Sequence, residues 1–154
     1  MKGKQVEAHE RLRNWWSQSS PEIIAAAQPE SAILTLEQRF QVRLPEDFRR
    51  YLLTSSPVED SWDKEHTIWW PLGRIRNIPE EYEHEVRHLR IAAAADRYLF
   101  FADHCLWCWA WAISCSDDED RGRVAMIGGS PDRFVADSFT DFVERYTRGL
   151  DSVC

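Results

Sequence analysis

The sequence predicts an α+β fold: helices at the start of the chain, a mostly antiparallel sheet of about four to six strands, and a closing helix. Two periodicities and one set of breaks predict it. Apolar residues recur every three or four positions from Ala8 to Leu52 and again from Phe139 to Tyr146, the spacing of a buried helical face. From Trp107 to Ala112 the chain alternates Trp, Cys, Trp, Ala, Trp, Ala, which sends large rings to one side of a strand and small groups to the other. Turn-forming clusters at residues 116–122 and 128–132 separate the extended segments. With 154 residues, one domain with one core is the simplest partition.

Taken in order, Ala8, Leu12 and Trp15 form the buried stripe of a short first helix, with Glu7 four residues before Arg11 for an exposed ion pair. Ser19 or Ser20 caps a second helical turn or two through Pro21, Glu22, Ile23, Ile24 and three alanines, and Pro29 ends it. Ile33, Leu36 and Phe40 mark the next helix. Leu44-Pro45-Glu46-Asp47 opens another, proline at its first position and carboxylates at the positive end of its dipole, with Phe48, Tyr51 and Leu52 buried. Residues 54–66 read as a polar loop in which Trp62 stands among acids, either as a lid on the core or as an exposed anchor for a partner. Residues 68–75 are a strand broken by Pro71 and Gly73, hence near a sheet edge. Residues 79–89 read as a helix that puts His84 and His88 one turn apart.

Residues 98–113 are the most apolar stretch and the anchor of the sheet. Trp107, Trp109 and Trp111 face one side, each burying on the order of 200 Å², so Trp109→Ala is expected to cost about 3 to 5 kcal/mol. Residues 123–127 and 133–136 are the remaining strands. Ser138 caps the closing helix, with Asp141 three residues on, Phe139, Phe142, Val143 and Tyr146 on its buried face, and Gly149 at its end.

Charge narrows the function classes. Against 19 basic residues stand 26 acidic ones, a net charge of −7, the wrong sign for holding nucleic acid. A negative surface favours basic partners, and it equally serves solubility. No run approaches the ~18 apolar residues of a membrane span. The opening MKGKQVEAHERLRN has no apolar signal core, so the expected location is the cytoplasm and the four cysteines are expected reduced. Cys105 and Cys108, beside His104, have the spacing of a zinc or redox pair. On a strand, however, positions three apart face opposite sides, and no second pair completes a ligand set, so these and Cys115 read as free thiols. Glu81-x-x-His84 and Glu85-x-x-His88 lack the zincin order and read as a solvated charged face. Asp117, Asp118, Glu119 and Asp120 lack the spaced ligands and distal glutamate of a calcium loop and read as a solvated turn or an acidic knuckle. With no phosphate loop, nucleophile motif or paired carboxylates in the sequence, neither catalysis nor a metal or cofactor is expected.

The succession of pieces resembles the SUKH superfamily. The run Ile33, Leu36-Glu37, Phe40, Leu44-Pro45-Glu46-Asp47-Phe48, Tyr51-Leu52 is similar to its amino-terminal signature. Trp70-Pro71-Leu72 with Ile75 resembles its next strand, Leu99-Phe100-Phe101-Ala102-Asp103 its central strand, and Val135-Ala136-Asp137-Ser138-Phe139 with Phe142 its closing helix. The match runs from about residue 33 to 149, leaving residues 1–30 as a helical N-terminal extension of a single domain spanning residues 1–154. Two glycine positions of the family are replaced, by Thr54-Ser55-Ser56-Pro57 after the Leu-Pro helix and by Asp103-His104-Cys105 between the central strands.

The resemblance implies a non-enzymatic binding domain: a bacterial immunity protein that neutralises a toxin, many such toxins being nucleases, or a regulatory interaction module of the kind tied to fungal cell-wall synthesis. A nuclease needs a basic groove, which an acidic blocker steers toward and occupies. The candidate partner-binding residues are Glu59, Asp60, Trp62, Asp63 and Glu65 in the first loop and Asp117, Asp118, Glu119 and Asp120 in the second. Glu37 is a further candidate, although a helix-surface glutamate beside Arg39 also has a structural reading. The expected partner is a basic protein, with no direct contact to nucleic acid or membrane, bound by a monomer or weak dimer.

Overall fold

The computed structural model describes residues 6–154; the first five residues of the expected N-terminal extension lie outside them. Helix α1 (Ala8–Ser19) buries Ala8, Leu12 and Trp16. The stripe steps in fours, so Trp16 takes the buried place expected of Trp15, which packs edge-on against Tyr146 at 5.4 Å. The expected helix after Ser20 does not form. Ala25–Ala26 is instead a two-residue strand, β1, pairing antiparallel with β2 (Ser56–Pro57). The Val58 N–H donates to the Ile24 carbonyl at 3.0 Å and the Gln28 N–H to that of Leu53 at 2.9 Å, so long-range pairing overrides the helix propensity of the alanines.

Helices α2 (Glu30–Phe40) and α3 (Glu46–Ser55) form where their stripes predict, burying Ile33, Leu36 and Phe40, then Phe48, Tyr51 and Leu52. The Asp47 carboxylate reaches past its own helix to accept from the Thr140 backbone N–H and hydroxyl, both at 2.8 Å. It thereby satisfies a first-turn donor of α6 (Phe139–Arg148) and joins two helix starts.

Six strands, β3 (Ser61–Trp62), β4 (Thr67–Trp69), β5 (Tyr98–His104), β6 (Trp109–Ser114), β7 (Val124–Ile127) and β8 (Arg133–Ala136), form one antiparallel sheet in sequence order. The interrupted strand ends at Trp69 and lies near the sheet edge as expected, second to β3. Helices α1, α2, α3 and α6 pack on one face around Trp69, Phe101, Trp111 and Phe142. Residues 76–97 cover the other, over Trp70, Tyr98, Phe100, Ala110, Ala112 and Ile127. Both faces are therefore buried, which is why β5 and β6 read as nearly continuous apolar runs.

Within 76–97 the expected helix over 79–89 is reduced to one turn, α4 (Ile78–Glu81), capped by Asn77. The chain then runs irregularly to α5 (Leu89–Ala93). The Arg87 N–H is drawn out to the Asp132 carboxylate at 2.7 Å, on the turn between β7 and β8. His84 and His88 consequently do not share a helical face, and His88 caps α5.

The alternation holds for Trp109 and Trp111, on the helical side, and for Ala110 and Ala112, on the other. Trp107 departs from it. The β5–β6 turn lies at residues 105–108, two residues later than expected, because Asp103 and His104 still pair with Ala110 and Trp109. Cys105, Leu106 and Trp107 take left-handed backbone, φ 49°, 58° and 67°, and the turn swings Trp107 to the face opposite its two successors.

Helix α6 matches its expected stripe and cap: the Asp141 N–H donates to the Ser138 hydroxyl at 2.9 Å. A final 3-10 turn, Leu150–Val153, brings the Val153 carbonyl to the Trp111 indole N–H at 2.9 Å.

Candidate protein-binding surface

Strand register decides which candidate residues come together. Thr67 pairs with His104 and Ala110 with Ile127, so the turns at 63–66, 105–108 and 128–132 lie at one end of the sheet. Tyr98 pairs with Ser114, which puts the loop 115–123 at the other end. The two acidic loops thus sit at opposite ends and form two surfaces, not one.

At the first end, Trp62 on the edge strand is 41% exposed. It pairs with Ile68, so its ring lies on the side of the sheet away from the helices. Val58, three residues after the α3 helix ends, is 49% exposed and stands opposite Ile24, which is 62% exposed. Glu59 and Asp60, both exposed, lie between Val58 and Trp62. Asp60 is tied to Arg74 at 2.7 Å, and that guanidinium stacks on Trp70 at 4.1 Å. Glu65 is partly buried. Ile24 and Val58 were not apparent as site residues because their pairing across the sequence has no local signal.

Asp63 does not present itself to a partner. It is 5% exposed and holds the frame. One carboxylate oxygen accepts from the Glu65 N–H at 2.8 Å and the Thr67 N–H at 3.1 Å. The other accepts from the Trp69 indole at 2.9 Å and from the Tyr146 hydroxyl of α6. Burial pushes its pKa up even though each of these bonds favours the charged form.

At the second end, Asp117, Asp118 and Glu119 are exposed, but Asp120 is buried. Its carboxylate is gripped by Arg90, whose Nε lies 3.1 Å away, and by Arg123 at 3.1 Å. Asp118 accepts from the Ser116 hydroxyl at 2.7 Å and the Asp120 N–H at 2.9 Å, bonds that hold its pKa down. The Glu37 side chain accepts from the Leu44 N–H at 2.9 Å, closing the α2–α3 connection. The fold does bring Glu37 and Asp117 together, along a groove of ≈ 640 Å³ between α2–α3 and this loop. Glu30 and Glu46 share it, interleaved with Arg43, Arg49 and Arg121. That groove is of mixed charge, and the acidic knuckle expected here is in part an internal ion-pair network.

Residues 29–145 match the SMI1 / KNR4 family (SUKH-1). The chain belongs to that family. The match begins just before α2 and ends within α6, leaving α1 and β1 outside. No curated protein matches the chain. Membership of the SMI1 / KNR4 family supports a protein-binding domain of the immunity or regulatory type. Among the described residues no helix is long and apolar enough to cross a membrane.

In this SUKH-1 chain Cys105 and Cys108 do not face opposite sides of a strand as expected. The β5–β6 turn runs between them, and the Cys108 thiol donates to the Cys105 carbonyl at 3.3 Å, while Cys115 lies apart. Cys105 and Cys108 are exposed at one end of the sheet, while Cys115 is buried at the other, where desolvation pushes its thiol up to about 12. His104 stacks on Trp109 at 4.4 Å. Among the described residues the one three-ligand grouping is Glu7, His9 and Glu10, and Glu7 there is already paired with Arg50 at 2.6 Å. The division within the second loop is testable. Asp120→Asn is expected to cost about 2 kcal/mol, because it weakens charge-assisted bonds to two arginines. Asp117→Asn with Glu119→Gln should stay within about 0.5 kcal/mol of the parent. Urea denaturation of the two variants makes the comparison, and equal losses would contradict the structural role of Asp120.

Proposed function

We propose that this SUKH-1 domain is a non-enzymatic immunity protein that binds a basic bacterial toxin domain through the β3 edge. The observation that carries the reading is Trp62, held 41% exposed beside Glu59 and Asp60 on a frame that Asp63 fixes from within. An exposed indole suits a binding hot spot, and the turn that Asp63 fixes beside it leaves little backbone freedom to be lost on association. The apolar pair Ile24 and Val58 extends it, and the neighbouring carboxylates steer a cationic partner and oppose its phosphate-binding groove. A nuclease is the toxin class whose phosphate-binding groove would suit that charge pattern.

The test begins by asking whether an adjacent gene encodes a toxin domain, and then co-expresses the two, with growth protection and calorimetric affinity as the readouts. Trp62→Ala combined with Glu59→Lys should leave the domain folded at a cost of about 1 to 2 kcal/mol and weaken binding at least about 30-fold, or ~2 kcal/mol. The parent's affinity should fall as salt is raised. Protection by the variant equal to that of the parent would move the interface elsewhere. A stable partner that is not a toxin, with no growth protection, would favour a regulatory module on the same fold.

A further inference from the structure

We propose that the face of the β5–β6 turn around Trp107 is a receptor for an arginine side chain of a protein partner. Glu81, Tyr82, Glu83, His84, Trp107 and Gly128 line a pocket of ≈ 460 Å³ there, separate from the β3 edge. The Tyr82 and Trp107 rings lie 5.7 Å apart and 13° from parallel, an offset aromatic platform, with His84 set edge-on to Tyr82 at 5.4 Å. The Trp107 indole N–H donates to Glu81 at 3.2 Å, which holds that carboxylate at the platform's rim, and Glu83 is exposed beside it. Gly128, at φ +89°, borders the platform: a Cβ there would touch the Trp107 ring at 3.5 Å and that of Tyr82 at 3.7 Å.

The turn goes to some expense to place Trp107. Three successive non-glycine residues in left-handed backbone cost about 1 to 2 kcal/mol each, and a buried carboxylate, Asp103, locks the third by accepting its N–H at 2.8 Å. Strain of this kind persists where the surroundings over-determine it, and it clusters at ligand-holding sites.

Arginine is the occupant that the chemistry selects. Several guanidinium groups among the described residues are held between a ring face and a carboxylate, Arg90 doing so between Phe134, at 5.7 Å, and Asp120. Arg74 lies 4.1 Å from the Trp70 ring and 2.7 Å from Asp60; Arg123 lies 3.8 Å from the Phe134 ring and 3.1 Å from Asp120. The Tyr82–Trp107 platform offers the same two elements. Among the described residues no guanidinium or ammonium stacks on either of its rings, and Arg87 on the same segment does not line the pocket. A planar guanidinium stacks flat on such a platform while its N–H fork engages Glu81 and Glu83; a compact ammonium does only the second. The platform opens on the same side and at the same end of the sheet as Trp62, so one partner can reach both. The assignment deepens the protein-binding reading, and its test does not depend on any toxin.

That test is titration of the ¹⁵N-labelled protein with acetyl-Gly-Arg-Gly-amide, following the Trp107 indole N–H and the Tyr82 amide. The expected result is a saturable shift with a dissociation constant on the order of a few millimolar, several-fold weaker for the lysine peptide and absent for the citrulline peptide, which keeps the shape without the charge. Glu81→Gln with Glu83→Gln should abolish saturation at the Tyr82 amide. These substitutions are at partly or fully exposed positions, so an unchanged remaining spectrum will show that the fold is intact. Equal shifts with citrulline, no saturation in the parent, or an unaffected double variant would each overturn the site. Arginine binding without growth protection would leave this site standing and remove the toxin reading; protection without arginine binding would do the reverse.

Discussion

Asp63→Ala is expected to cost about 4 to 6 kcal/mol, most of the stability of a domain of this size. The substitution orphans the Trp69 indole, the Tyr146 hydroxyl and the Thr67 amide in the interior, at roughly 1 to 3 kcal/mol each, while the Glu65 amide can turn to water. It also cuts the link between the β3–β4 turn and α6. Urea denaturation measures the loss, and Tyr146→Phe, which removes one donor and leaves the carboxylate in place, should cost only about 1 kcal/mol. A loss below ~1 kcal/mol for Asp63→Ala would mean that water replaces the carboxylate.

The same residue fixes the sign of a pH dependence. Burial raises the Asp63 pKa above 3.8, so between that value and the raised one the native state holds a proton that the unfolded chain has released. Its contribution to stability is therefore greatest at the acid end of that window, declines as pH rises through it, and is flat above. Asp63→Asn cannot titrate, so the stability of the parent minus that of this variant should fall with rising pH in the window. A rise would place the carboxylate's pKa below its ordinary value.

Trp111→Ala should be nearly as damaging, at about 4 to 5 kcal/mol. The Trp111 ring is fully buried and packs on Phe142 at 5.4 Å and Tyr146 at 6.0 Å, and its N–H anchors the C-terminal turn through Val153. Trp111→Phe keeps most of the packing and should cost less than half as much. Trp109→Ala, expected from the sequence to remove the anchor, takes away a ring that is only half buried, and should cost about 2 kcal/mol. Thermal or urea unfolding of the three variants ranks them; Trp109→Ala proving the worst would reverse the assignment of the anchor.

The parts of the fold that were legible are those in which local pattern and tertiary environment agree. The stripe of Phe139, Phe142, Val143 and Tyr146 is buried as its spacing predicts, and Pro45 opens α3 as its chemistry predicts. Illegible segments are those whose partners lie far along the chain. Residues 20–27 have alanine-rich helical composition but take backbone bonds from residues about thirty positions on, and Arg87 is pulled out of a helix by Asp132. The site divides in the same way. Glu59 and Asp60 are exposed, as a polar loop suggests, whereas Trp62, which the sequence equally allowed as a lid on the core, is 41% exposed. Asp63 and Asp120 carry the same side chain in similar company, yet are buried because Tyr146 lies 83 residues and Arg90 30 residues away. Nothing local distinguishes an acid that meets solvent from one that meets such a donor. The Trp107 reversal was hidden for another reason: three non-glycine residues in left-handed backbone carry no compositional flag.

The sequence-ordered sheet has a consequence for how the chain comes together. Each strand closes on the one just made, through short loops everywhere but between β4 and β5, where residues 70–97 intervene, so most of the sheet can zip up as residues emerge during synthesis. The helical layer cannot. Arg11 of α1 meets Thr147 of α6 across 136 residues, so α1, although its Trp16 can already rest on Tyr51 and Trp69, completes its seat only once α6 has been made. Until then Trp15, which packs on Tyr146 of α6, lacks its cover, so the face of α1 turned toward α6 is the last part of that layer to be sheltered.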